Sequence, residues 1–253
     1  MKKSKLSHLW RSQRVLLGLL LVLLSVFFYS LHYVVFRDAH HIFIYLVGDI
    51  AFVFIEVLLV TLIIHHLLSE REKRAMRKKL NMVIGAFFSE VGTNLLKFFA
   101  GFDKNAEQIS KHLIVGNEWS PEHFTQMQAV LSSHDYKIDS RAGDLKGIRE
   151  FLIGKRGFLL GLLENPNLLE HEKFTELLWA VFHLAEELSH RTTIEGLPET
   201  DYYHLSGDIG RSQRLLVREW LSHMEHLKSD YPYLFSLAVR TNPFDPNASV
   251  EVQ

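Results

Sequence analysis

Val15–Phe36 reads VLLGLLLVLLSVFFYSLHYVVF and contains no charged residue. As a helix rising 1.5 Å per residue it covers about 33 Å, enough to cross a hydrocarbon core of roughly 30 Å. A secretory signal also joins a basic flank to an apolar core. Its core runs to about 7–15 residues and ends at a small-residue cleavage site, and neither holds here. A second apolar stretch, 42–64, follows after RDAHH. The two predict a transmembrane helical hairpin over residues 15–65.

Charge orients the hairpin. Lys2, Lys3, Lys5, Arg11 and Arg14 make residues 1–14 basic, and Arg71, Lys73, Arg74, Arg77, Lys78 and Lys79 form a second cluster. The connecting loop offers only Arg37, balanced by Asp38. The positive-inside rule therefore predicts a protein of the cell's inner, cytoplasmic membrane with both termini in the cytoplasm. The second cluster would meet anionic headgroups, at about 1 kcal/mol per basic residue near the surface.

Beyond residue 80 there are 16 Lys/Arg against 24 Asp/Glu. An acidic region of that size repels phosphate backbones, which argues against nucleic acid as a partner. The absence of cysteine excludes disulfides, thiolate metal sites and cysteine nucleophiles.

The second span, YLVGDIAFVFIEVLL, carries Asp49 and Glu56. Seven residues apart, they differ by about 20° around a helix and share one face. Acidic residues near a bilayer centre cost roughly 2.5–3.5 kcal/mol each on the insertion scale, and each Leu, Ile, Val or Phe returns about 0.3–0.6 kcal/mol. The helix can insert, but two charges facing lipid would be a poor arrangement. Three readings are open. The carboxylates pair with Ser25, Tyr29 or His32 of the first span, or they are protonated. Alternatively, several hairpins stack them into rings along a cation-attracting path, with Tyr45 and His32 as further polar members. The third reading requires a homo-oligomer, since one hairpin cannot enclose a pore.

Glu-to-Lys/Arg pairs after Ser69 favour one long helix leaving the membrane. It continues as a juxtamembrane stalk over 66–102, apolar on most sides between 81 and 99. Such a helix is buried, against copies of itself or in its own domain. Gly85 and Gly92 would allow a close approach on one side. Helical periodicity persists through a cytoplasmic helical-bundle domain at 103–241. Helices are expected from Pro121, over 144–164, 171–190 and 205–229, and in a last short one opened by YPYLF, before a frayed tail at 242–253. The class is all-α.

The stretches SEREKRAMRKKLNMVIGAFFSEVG, ENPNLLEHEKFTELLWAVFHLAEEL and DYPYLFSLAVRTNPFD resemble a family of uncharacterised prokaryotic two-span membrane proteins. That resemblance covers nearly the whole chain. It implies a two-span topology with a helical cytoplasmic domain and brings no activity with it.

Two histidine–carboxylate faces are the main candidates for chemistry. His183, Glu187 and His190 recur at i, i+4 and i+7, with Glu186 nearby, and Glu219, His223 and His226 repeat the spacing. Imidazole and carboxylate together suit a divalent metal such as zinc, iron or manganese. Glu187-x-x-His190 also has the form used in bundle di-iron sites, though no matching second set is found. The bland reading is a solvated face, because Phe174, Leu177, Leu178, Val181, Leu184, Ala185 and Leu188 form the opposite, core stripe. REWLSH, with Arg218 and His223, matches the Arg–His spacing of HEPN-type ribonucleases, but the acidic domain opposes RNA. Trp179 and Trp220 read as packing residues. No cofactor is predicted.

The sequence therefore reads as a homo-oligomeric integral membrane protein that conducts or senses cations or protons through Asp49 and Glu56. The alternative is a membrane-tethered scaffold whose helical domain recruits a soluble protein. A metal-binding bundle enzyme ranks below both, so the reading leans away from an enzyme.

Overall fold

The computed structural model describes residues 2–166, 168 and 171–251, with side chains from Val15 onward apart from Arg74 and Ala75. Arg74 and the five basic residues of the N-terminus thus lie outside the described side chains. Among the described residues the chain is all-α, its only extended pairing being an isolated bridge between Asp103 and Ile138. It divides into two compact units, Met1–Glu72 and Lys73–Gln253.

The first unit holds α1 (Lys2–Phe36) and the start of α2 (Ala39–Phe87). Both helices are long and apolar enough to cross a membrane. Arg37 takes a left-handed φ of 51° and its N–H donates back to the Tyr33 carbonyl, ending α1. Asp38 then caps α2, with Oδ1 accepting from the His40 and His41 N–H groups at 2.9 and 3.2 Å. The cap satisfies two of the donors that a helix start leaves orphaned. It explains why α2 begins at Ala39 rather than at 42. Apart from the half-buried Ile42 and Leu46, the Leu, Val, Ile and Phe side chains of 15–68 are exposed along both helices.

In the second unit the apolar stretch at 81–99 takes the second of its two readings, a helix buried in its own domain. Leu80, Ile84, Phe87, Phe88, Val91, Leu95, Leu96, Phe99 and Phe102 are all buried in this unit's own core. The helix passes through a π-helical turn, Phe88–Gly92, into α3 (Thr93–Phe102). Both Thr93 N–H and its hydroxyl donate to the Phe88 carbonyl, which stitches the wider turn. Of the two glycines, Gly92 is the one this packing requires. A Cβ on Gly92 would meet the Phe88 ring at 2.5 Å, and Gly85 lies beneath the His223 ring.

After a short α4 (Ala106–Ser110), α5 (Pro121–Ser133) opens as expected at Ser120. Ser120 accepts from the His123 N–H and donates its own N–H to His123 Nδ1, a capping box closed by an imidazole. Helices α6 (Leu145–Leu163) and α7 (Glu172–His190) fall within a residue of their predicted bounds. Helix α8 (Glu199–Asp230) is the hub, packing against α3, α5, α7 and α9 (Pro232–Arg240). It starts six residues before the predicted 205, led in by Pro198 with Glu199 and Asp201 in its first turn, where acidic side chains suit the helix dipole.

Two buried polar residues hold the connections. Asp103 Oδ1 accepts from the Asn105 and Lys137 N–H groups, and its Oδ2 from Gln213 Nε2 at 3.3 Å. Asn242 donates to the Leu113 carbonyl at 2.8 Å and accepts from the Phe244 N–H at 2.9 Å. Phe244 packs edge-on against Trp220 with ring centres 4.9 Å apart. The tail expected to fray from 242 is therefore docked at its start.

Candidate functional site

In the first unit, Asp49 and Glu56 are exposed on α2 and make no hydrogen bond or ion pair among the described residues. The Ser30 hydroxyl donates to the Val26 carbonyl of its own helix. His32 stacks with His41 at 6.3 Å across the turn, and His41 meets Tyr45 edge-on at 4.7 Å. The first span supplies no partner to either carboxylate. Arg71 in this unit, and Lys73, Arg77, Lys78 and Lys79 in the second, are exposed.

In the second unit, the two predicted histidine–carboxylate sets do not survive as sets. His190 turns away, its Nδ1 donating to the Glu186 carbonyl at 2.8 Å. His183 and Glu187 instead face α8, where they meet His204 and Asp208. His183 Nε2 and His204 Nε2 stand 3.4 and 3.3 Å from Asp208 Oδ2. Glu187 lies 3.9 Å from His183 and 3.6 Å from His204. Ligand atoms of His183, His204 and Asp208 all fall within 4.8 Å of one another.

The local cause is helical register. His183/Glu187 and His204/Asp208 are each one turn apart, so each pair presents two donors on one face. Packing of α7 on α8 brings the faces together. Arg191 braces the site by donating to Glu187 Oε2 at 2.8 Å and, through Nε and Nη2, to both oxygens of Asp201 at 2.9 and 2.6 Å. These bonds hold the Glu187 and Asp201 carboxyls below the usual carboxylate range. Asp208 is only 5 % exposed, and its Oδ2 is buried without a hydrogen bond. Leaving such an oxygen unsatisfied costs about 1–3 kcal/mol, more when it is charged.

Glu219, His223 and His226 take separate roles. Glu219 is buried, and burial raises its carboxyl above the ordinary value. His223 stacks flat on Phe88 at 5.0 Å, and burial followed by the nearby His226 pushes it down to about 4. His226 Nδ1 lies 3.2 Å from Asn81 Nδ2 and 2.8 Å from Asp230. Arg218 is exposed while the His223 Nδ1 is buried, so REWLSH gives no open Arg–His pair. His223 and His226 line a largely apolar cavity of about 560 Å³ with Gly85, Phe88, Tyr231 and Leu234.

Sequence reasoning missed His204 and Asp208. The signal is H-x-x-x-D in DYYHLSGD, but a helix expected only from 205 leaves His204 outside it, where helical spacing to Asp208 carries no meaning.

Comparison with known proteins gives two family matches. The profile "MJ1433, N-terminal helical domain" matches residues 5–68, and "Uncharacterized protein MJ1433, C-terminal helical domain" matches residues 76–240. A relative from Methanocaldococcus jannaschii, "Uncharacterized protein MJ1433", is 43 % identical over 239 residues, covering 94 % of this chain and 96 % of its own. No solved structure matches.

Proposed function

The chain belongs to the MJ1433 family of helical proteins, and from that premise we propose that it is a homo-oligomeric membrane protein whose assembled α2 helices form a cation-attracting path. Both helices of the first unit cross the cytoplasmic membrane, with the termini and the acidic domain inside. The observation that carries this reading is the pair Asp49 and Glu56: two carboxylates on one face of an apolar span, without a partner among the described residues. Copies of the same span are the nearest source of polar neighbours, because lipid offers none. His32 and Tyr45 add polar positions toward the turn. The exposed basic cluster supports inside orientation and headgroup contact.

The test is the mass of the detergent-purified protein by light scattering, corrected for bound detergent, followed by cation flux into vesicles. Four or more subunits, with flux lost in Asp49→Asn/Glu56→Gln, is the expected result. A monomer or dimer, or flux indifferent to both substitutions, overturns the path. The two-span protein would then be a tether that presents its helical domain to a soluble partner.

A further inference from the structure

We propose that His183, His204 and Asp208 form a binding site for a divalent cation of the zinc class, with Glu187 as the fourth protein ligand or as its immediate neighbour. The site lies wholly in the second unit and does not depend on the membrane reading.

Geometry makes the first argument. At metal–ligand distances of about 2.0–2.1 Å, the edges of a tetrahedral site measure roughly 3.3 Å. Asp208 Oδ2 stands 3.3 and 3.4 Å from the two imidazole nitrogens. These two edges fit a tetrahedral site, and the third, between the imidazole nitrogens, lies within 4.8 Å. Glu187 approaches the same space from α7, 3.6 Å from His204.

The second argument is independent. Asp208 Oδ2 is buried and accepts no hydrogen bond, although two imidazoles lie at hydrogen-bonding range. The rings therefore do not direct N–H bonds at that oxygen. A shared cation accounts for all three atoms at once, since it needs the neutral imidazole lone pairs and the carboxylate lone pair together.

Charge and access agree. Glu187, Asp208 and the adjoining Asp201 outnumber Arg191 and Arg211, the latter 4.0 Å from Asp208 Oδ1. The histidine side chains are 46 % and 51 % exposed, which leaves an entry path, while Asp208 forms the buried floor. Arg191 supplies the outer support that orients Glu187, as partners behind metal ligands commonly do.

The experiment uses tag-free, full-length protein in detergent, stripped with chelator and titrated calorimetrically with Zn²⁺. Co²⁺ absorption provides a second readout of tetrahedral coordination. One equivalent is expected to bind, with affinity lowered at least about tenfold in His204→Ala and in Asp208→Asn and unchanged in His190→Ala. Circular dichroism checks folding. Because His204 is half-exposed, His204→Ala removes a ligand without opening the core, should Asp208→Asn misfold. Absence of Zn²⁺ binding, or equal affinity in wild type and His204→Ala, overturns the site. So does an equal loss in His190→Ala, which would move binding to the outer face of α7.

Discussion

His223 turns a packing position into a pH response. Its folded-state value of about 4 lies below the ordinary imidazole value near 6.5. The unfolded chain therefore takes up a proton first, and stability falls as pH drops from about 6.5 to 4, then levels once both states are protonated. The ring is still partly exposed, so the loss is of order 2 kcal/mol rather than the full shift. Glu219 acts in the opposite sense, because a raised carboxyl sheds its penalty on acidification. Chemical denaturation of wild type and His223→Phe across this range should show the acid-side slope reduced in the variant; parallel curves would refute the assignment. Nothing in LSHMEH marks His223 as buried. The depression comes first from burial, with the distant Phe88 ring stacked on the imidazole, and then from His226; periodicity cannot report which distant ring closes over an imidazole.

At the scale of elements, the glycines of the supposed stalk separate two readings. A Cβ at Gly92 collides with Phe88 at 2.5 Å and Phe87 at 3.0 Å, whereas one at Gly85 meets only His223 at an ordinary 3.7 Å. Gly92→Ala should cost about 1–3 kcal/mol by overpacking. Gly85→Ala should be neutral or gain up to about 1 kcal/mol from helix propensity. Thermal melts of the two variants test this; equal effects would mean that the glycines serve a symmetric contact between copies. The apolar run at 81–99 made burial legible but not its partner. Helices with strong caps or core stripes, α5 to α7, could be read closely. Helix α8 could not, because TDYYHLSGD is polar and glycine-containing until its packing face is known. That error in bounds hid His204 and Asp208, while His183 and Glu187 stood out on a clean amphipathic helix.

Over the whole molecule, the division into an apolar unit and a helical domain was legible because charge and hydropathy are segregated along the chain. Within the domain's core, the apolar run at 81–99 and the stripe from Phe174 to Leu188 were legible from periodicity, whereas the docking of Phe244 against Trp220 required the folded chain. On the two-span reading, a reporter fused at the C-terminus should be active in the cytoplasm. Replacing Arg71, Lys73, Arg77, Lys78 and Lys79 with Gln should lower that activity by weakening the inside bias. An unchanged topology would assign orientation to the N-terminal charges alone. The turn between the spans carries a further consequence. Only Arg37 and Asp38 lie outside helix there, and Asp38 is occupied in capping. On the two-span reading, with both helices across the bilayer, the outer face of the cell would show almost nothing to grip. An antibody, a protease or a water-borne signal arriving from outside would find no epitope, and whatever governs the protein would have to reach it through the lipid or from within the cell.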